Sequence, residues 1–312
     1  MMTTQHVSVL PQETLESLAP QPGQTMVDGT LGGGGHTRQL ADAVRPDGKV
    51  ISLDADPRAL SRCRGLLEGL PVELVHSNFR ELRTLVEEHA WPLFDGILLD
   101  LGISSDQLAD SGRGFSFLDE GPLDLRFDDE KGESASDLLN RLTERELADT
   151  IYKYGEERAS RRIARTIVQR RQATMNWTSL QLAELVASVV PRSTKNPIHP
   201  ATRTFQALRI AVNGELDALE LALRDFPNLL KPGGRFAIIS FHSLEDRLVK
   251  HAFRDNPRLK VTHRKPIRPT DAEIAANPRS RSSRLRVAIR LDDGDIEKQP
   301  FINAPKRSEW HR

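Results

Sequence analysis

Asp28-Gly29-Thr30-Leu31-Gly32-Gly33-Gly34-Gly35-His36 is the stretch from which the fold of this chain is read. An apolar run at 25–27 precedes it, and a helical pattern over 37–44 follows it. Strand, glycine turn and helix, in that order, make the first unit of a nucleotide-binding α/β fold. Glycines allow φ > 0 and carry no Cβ, so a ligand can lie against the backbone. A mere linker would be polar on both sides, whereas these glycines sit between two periodic elements.

Working outward, buried-strand patterns recur at 49–53, ending at Asp54, at 72–75, at 94–99, ending at Asp100, and at 235–241. Helical patterns at 57–67 and 80–89 separate the early ones. This alternation implies a parallel sheet with helices on both faces. Strand patterns at 260–263 and 285–291 predict an antiparallel end to that sheet. From 107 to 197 the alternation stops. A Gly-, Asp- and Phe-rich stretch, 110–133, gives way to helical patterns over 136–152, 156–171 and 179–190. One long helix over 204–225 would then feed the fifth strand, and Ser243 would cap the helix after it. The expected organisation is a Rossmann-like α/β domain made of 1–107 and 197–312, with an all-helical insertion at 108–196. The polar stretch 300–312 is expected to fray.

Composition narrows the function classes. The 312 residues carry 44 Lys+Arg and 44 Asp+Glu, so no global basic field favours nucleic acid, and any such role must rest on local clusters. Two exist: Arg158, Arg161, Arg162, Arg165, Arg170 and Arg171, and then Arg279, Arg281, Arg284, Arg286 and Arg290. The single cysteine, Cys63, excludes an internal disulfide framework and a thiolate metal site. The nine histidines show no ligand spacing, so no metal is expected. No apolar run approaches the ~20 residues that span a bilayer, and no export signal is evident, which fits a cytoplasmic protein.

Three ligands compete for the glycine loop. A nucleoside triphosphate needs a lysine after the glycines, and here His36 and Thr37 follow. A dinucleotide usually needs a third glycine, and Thr37 or Arg38 occupies that place. S-adenosylmethionine needs a close backbone, an acid for its ribose and an apolar platform for its adenine. Asp28, the glycines, Asp54 and Phe79 supply that set at successive strand ends, and the antiparallel last pair suits the same cofactor.

Further blocks carry a family resemblance. They include His6, Val9-Leu10, Asp54-Ala55-Asp56, Asp95-Gly96-Ile97-Leu98-Leu99-Asp100-Leu101-Gly102-Ile103-Ser104-Ser105 with Gln107, and Arg113-Gly114-Phe115-Ser116-Phe117. Pro122-Leu123-Asp124-Leu125-Arg126, Tyr154-Gly155-Glu156-Glu157-Arg158 and His199-Pro200-Ala201-Thr202-Arg203-Thr204-Phe205-Gln206-Ala207-Leu208-Arg209 follow. The last are Ser240-Phe241-His242-Ser243-Leu244-Glu245-Asp246-Arg247 and Asn277-Pro278-Arg279-Ser280-Arg281-Ser282-Ser283. With the glycine loop, these resemble, nearly end to end, the bacterial RsmH family, also called MraW. Departures are few. Ser8 and Asp106 stand where the family often has proline, and Leu125 and Phe127 replace methionines, keeping apolar bulk.

The resemblance implies S-adenosylmethionine-dependent methylation of cytosine N4 in 16S ribosomal RNA of the small subunit, in the decoding region. It implies cofactor binding by Gly34, Gly35, His36, Asp54, Phe79, Asp100 and Gln107. In that site Asp54 would accept the ribose hydroxyls, Phe79 would lie near the adenine, and His36 would meet the methionine end. Asp100 is the expected catalytic acceptor for the amine. The Asp/Asn-Pro-Pro-Tyr/Phe run of many amine methyltransferases is missing after the fourth strand, so Phe115 or Phe117 would stack on the base. Arg113, Arg203, Arg209 and His242 are the other candidate RNA contacts, and the 158–171 arginines would meet phosphates. The small ribosomal subunit is the expected partner, no membrane is involved, and a homodimer is compatible with the sequence. Two other readings stand beside this one: a ribosome-assembly factor with a vestigial cofactor site, and a DNA amino-methyltransferase.

Overall fold

The computed structural model describes residues 7–117, 120–190 and 199–296. In chain order the first elements are α1 (Pro11–Leu18), β1 (Thr25–Asp28), α2 (Gly35–Val44), β2 (Lys49–Asp54), α3 (Pro57–Leu66), β3 (Val72–His76), α4 (Leu82–His89) and β4 (Phe94–Asp100). Six helices follow: α5 (Ser105–Ala109), α6 (Ala135–Arg141), α7 (Glu144–Gly155), α8 (Ser160–Arg170), α9 (Ser179–Val189) and α10 (Thr202–Asn213). The chain then forms α11 (Glu215–Asp225), β5 (Leu230–Ser240), α12 (Ser243–Asp255), β6 (Leu259–Val261), α13 (Asp271–Ala276), β7 (Arg284–Arg290) and α14 (Asp293–Ile296).

These residues divide into two compact units. One is 103–216; the other joins the segments before 103 and after 216. In the second unit the seven strands make one sheet, ordered β3-β2-β1-β4-β5-β7-β6. The pairings from β3 through β5 are parallel, and β7 runs antiparallel to both β5 and β6. The strand order reverses direction between β1 and β4. At such a switch point the two crossovers leave on opposite faces and open a crevice at the strands' carboxyl ends. The central strand β4 is covered on both faces, which is why Ile97, Leu98 and Leu99 read as one unbroken apolar run.

The other unit is helical, around a core that includes Leu139, Ile151, Ile163, Ile167, Trp177, Leu182 and Phe205. Two predicted helices are each broken in two. The 136–152 pattern is interrupted at Thr143, whose hydroxyl accepts the Glu146 amide while the Glu146 carboxylate accepts the Thr143 amide. That reciprocal cap satisfies the first N–H groups of α7 and so begins a new helix. The 204–225 pattern breaks at Gly214, which takes a left-handed φ of 60°. Helix α10 thereby joins the helical core through Ala201, Phe205 and Leu208, while α11 lays Ala218, Leu219, Ala222 and Leu223 among sheet residues. The unit boundaries accordingly fall at 103 and 216, where 108 and 196 were expected; position 196 lies outside the described residues.

Smaller differences concern the sheet unit. His242 caps α12, where Ser243 was expected, because its ring Nδ1 accepts the Glu245 amide at 3.4 Å. The segment before β7 holds α13, capped by Thr270, where a plain loop was expected. The predicted tail 300–312 lies outside the described residues.

Candidate functional site

Three acids end three strands of the parallel sheet: Asp28 on β1, Asp54 on β2 and Asp100 on β4. Asp28 is fully buried. Its Oδ2 accepts the Thr37 hydroxyl at 2.7 Å, and its Oδ1 accepts the Thr30 amide at 3.1 Å. The Thr37 hydroxyl also lies 2.8 Å from that of Ser52, and the Thr30 hydroxyl accepts the Asp100 amide at 2.6 Å. One carboxylate thus connects β1, the glycine loop, α2, β2 and β4. Burial pushes it above the usual carboxylate range, and the Thr37 and Thr30 donors oppose that rise. Sequence reading missed Thr30, Thr37 and Ser52 as parts of this frame. Their only signal was that two of them bracket the glycines.

The loop between Asp28 and α2 is packed closely enough that Gly29, Gly34 and Gly35 leave no space for a side chain of their own. Gly34 precedes α2 with φ 79°, and a Cβ there would stand 3.1 Å from Cys63 Sγ. A Cβ on Gly35 would collide with the Ser8 hydroxyl, and one on Gly29 would meet Leu99 and Phe79. Asp54 fastens this loop: its Oδ2 accepts the Gly32 amide at 2.8 Å and its Oδ1 accepts the Asp56 amide at 2.8 Å. Burial pushes Asp54 up to about 6 against those two amides, with Asp56 and Asp28 adding repulsion. Each of its oxygens retains a second lone pair for a further donor. Phe79 starts a short helical turn after β3, is half-buried, and packs against the sheet core.

His36, in the first turn of α2, places Nε2 3.8 Å from Asp100 Oδ2, and its side chain is 6% exposed. Oδ1 of Asp100 is buried and has no hydrogen-bond donor among the described residues. Burial, and then the charge of Asp28, hold the Asp100 carboxyl well above its ordinary value; Arg279 pulls it down and Glu245 pushes it up. Glu245, 2% exposed, is a further buried acid. Its Oε2 accepts the amides of Phe241 at 2.8 Å and His242 at 3.2 Å, and its Oε1 is 3.1 Å from His242 Nε2. His242 is thereby tied to the start of α12.

In the helical unit, Gln107 is buried and completes a capping box with Ser104, whose amide it accepts at 2.9 Å. The candidate RNA contacts of that unit have structural tasks. Arg113, 2% exposed, donates to the carbonyls of Arg126 and Phe127 at 2.8 Å each. Phe115 is buried in the helical core, stacked on Phe127, and Phe117 stacks on His199 at 5.0 Å with Phe205 at its edge. Arg209 makes a two-pronged pair with Glu215 at 2.7 and 2.9 Å. Arg203 is exposed and donates to the Glu156 carbonyl at 3.1 Å. Packing in the unit's core therefore takes up Phe115 and Arg113, and neither is turned outward toward a base or phosphate.

The crevice-end residues suit a phosphate-free nucleoside cofactor that carries a positive charge. Neighbouring side chains pack directly on the glycine backbone, no lysine follows the glycines in sequence, and Asp100 Oδ1 offers an unengaged acceptor. Among the described residues no three His, Cys, Asp or Glu side chains group to hold a metal ion, and no helix is long and apolar enough to cross a membrane.

Comparison with known proteins agrees with the blocks. The model of the MraW methylase family matches residues 3–291. A ribosomal RNA small subunit methyltransferase H from Deinococcus deserti is 52% identical over 287 residues, covering 92% of this chain and 93% of that protein. Its counterpart from Thermomicrobium roseum is 48% identical over 310 residues, covering 93% of this chain and 95% of that protein.

Proposed function

We propose a function from one premise: the chain belongs to the MraW methylase family. It is an S-adenosylmethionine-dependent methyltransferase of the Rossmann-like class with a helical insertion. Its relatives are named for the ribosomal RNA of the small subunit. The proposed reaction is N4-methylation of a cytidine in the decoding region of 16S ribosomal RNA. The observation that carries this reading is the buried Oδ1 of Asp100, an acceptor without a donor at the end of β4.

S-adenosylmethionine supplies an electrophilic methyl group on a sulfonium. The chain supplies position and electrostatics. The backbone at Gly34 and Gly35, with His36, would meet the methionine end of the cofactor, Asp54 would receive its ribose hydroxyls, and Phe79 would border the adenine. The amine of cytosine is a weak nucleophile because its lone pair is delocalised into the ring. An ionised Asp100 accepting one amine hydrogen favours the reactive, pyramidal nitrogen. The same carboxylate takes the proton that the nitrogen loses once its new bond to carbon has formed. Thr30 holds the Asp100 backbone for this task from the other side of the loop. The target base must leave its stack to reach such an acceptor.

The test is incubation with isotopically labelled S-adenosylmethionine and small subunits that lack the modification, followed by nucleoside mass spectrometry. Label in N4-methylcytidine is expected; label in another nucleoside, or none, refutes the reading.

A further inference from the structure

The six arginines of the 158–171 cluster do not share one task. Arg171 donates to the carbonyls of Leu139 at 3.1 Å and Leu142 at 2.6 Å, closing the end of α6. Arg165 approaches Glu144 at 3.4 Å. The side chains of Arg158, Arg161, Arg162 and Arg170 are exposed, and among the described residues none makes a hydrogen bond or ion pair. Helix geometry explains their direction. Ile163, Ala164 and Ile167 are fully buried in the helical core, so residues 161, 162 and 165 point the opposite way, and Arg158 lies in the turn just before the helix. Arg161 and Arg165 are one turn, about 5.4 Å, apart along the axis.

A second observation lies one corner away. The chain's two tyrosines flank Lys153 in the last turn of α7, just before the 156–159 corner that leads into α8. Tyr152 is 63% exposed, one of the most exposed large side chains of the unit. Lys153 holds its Nζ 4.9 Å above the Tyr154 ring. The acids nearby are engaged. Glu144 meets Arg165, Glu146 caps α7, Asp149 lies 3.9 Å from Arg145, and buried Glu157 accepts the Ala159 amide at 2.8 Å. Glu156 is exposed at the corner itself.

Uncompensated guanidinium groups in a row, beside an exposed aromatic ring, are the two elements by which proteins hold single-stranded nucleic acid. Arginines track the backbone phosphates, and the ring receives an unpaired base. An apolar protein partner would not be matched to four free positive charges. We infer that the corner between α7 and α8 is a docking surface for single-stranded RNA. In it Arg158, Arg161 and Arg162 hold phosphates and Tyr152 stacks on a base. The inference deepens the proposed reaction, on which it rests for the identity of the RNA. It also places phosphate contact on these arginines, since Arg113 and Arg209 are engaged inside their unit.

The test measures affinity of the full chain for a fluorescently labelled single-stranded RNA, taken from the decoding region, across a range of salt. Each lost phosphate contact lowers the slope of log affinity against log salt by about 0.7 for single strands, so the triple change R158Q/R161Q/R162Q should lower it by about 2. Y152A should weaken binding about 5- to 100-fold at an unchanged slope, since stacking involves no counterion. Arg83→Gln, on α4, is the control and should change neither. Thermal melts and S-adenosylmethionine calorimetry of each variant should stay close to the parent, because these side chains are exposed and, among the described residues, only Arg83 makes ion pairs, to Glu87 and Asp225, of the weak surface kind. An unaltered slope in the triple variant overturns the inference. So does an unaltered slope accompanied by loss of binding to a ribosomal protein. Parent enzyme that binds RNA with these slopes but makes no N4-methylcytidine would refute the reaction and leave the docking surface standing.

Discussion

Oδ2 of Asp54 accepts the amide of Gly32 at 2.8 Å, so the acid at the end of β2 fastens the loop on which the cofactor is proposed to lie. Removing the carboxylate therefore has two effects. Asp54→Ala is expected to weaken S-adenosylmethionine binding by about 1.5–3 kcal/mol, the range for hydrogen bonds to a charged group. It should also lower the melting temperature of the cofactor-free protein, because the Gly32 and Asp56 amides lose their acceptor. Calorimetry and a thermal melt separate the two. A lower melting temperature with unchanged affinity would leave Asp54 a loop fastener only.

The same group sets a pH dependence. Burial raises Asp54 from 3.8 to about 6 in the folded chain. Between those values the folded state holds a proton that the unfolded state releases. Stability from this group is then full below about pH 4 and is lost as pH rises through about 6. Two units correspond to at most about 3 kcal/mol at 1.36 kcal/mol per unit. Ribose hydroxyls donate to the ionised form, so cofactor affinity should run the other way and improve as pH rises through 6. Melts and calorimetry between pH 5 and 8 would show the opposed trends; parallel trends would contradict the proposed ribose contact.

Asp100 gives a kinetic prediction. Its carboxyl stands well above the ordinary range, chiefly through burial and the charge of Asp28. The proposed acceptor role needs the ionised form, so the rate should climb with pH along a limb above that of a free carboxylate. Arg279 lowers this carboxyl, so Arg279→Gln should move the limb to higher pH. Asp100→Asn should cost roughly 10²–10⁴-fold in single-turnover rate, the usual worth of a positioned proton acceptor. A profile that stays in place in Arg279→Gln would remove the electrostatic link between the two.

Much of this site was legible because an apolar run followed by an acid marks a buried strand and its end. That pattern located Asp28, Asp54 and Asp100, and the glycines located the loop. The Thr30 hydroxyl and the Asp100 amide are 70 residues apart, and nothing local in the sequence joins them. Helix breaks at Thr143 and Gly214 were hidden because the apolar period continues across both. For Arg113, Arg209 and Phe115 the sequence shows chemical type but not the partner, and the partner decides whether a charge or ring faces solvent. The carbonyls of Arg126 and Phe127 are such partners, invisible to any motif.

Thr30→Val tests the long-range link. It keeps the shape of the side chain and removes the oxygen that accepts the Asp100 amide. A buried donor left unpaired costs about 1–3 kcal/mol. Chemical denaturation should show that loss. The single-turnover rate should fall more than cofactor affinity, because the residue displaced is the proposed amine acceptor. Equal losses in both would place Thr30 in general loop stability.

Arg113 separates packing from recognition most sharply. It is 2% exposed, its Nη2 reaches two carbonyls, and its guanidinium lies 5.6 Å from the Phe115 ring centre. Hydrogen bonds from a charged donor are worth about 1.5–3 kcal/mol, and their loss leaves the Arg126 and Phe127 carbonyls short of a partner. Arg113→Met keeps apolar length and should destabilise the helical unit by about 3–6 kcal/mol on those two bonds. Lysine lacks the flat guanidinium that lies beside the Phe115 ring while one of its nitrogens reaches both carbonyls, so Arg113→Lys should recover only part of the loss. The salt slope of RNA binding should stay at the parental value at temperatures where both variants are folded. A slope lowered by about 0.7 in folded Arg113→Met would instead make Arg113 a phosphate contact.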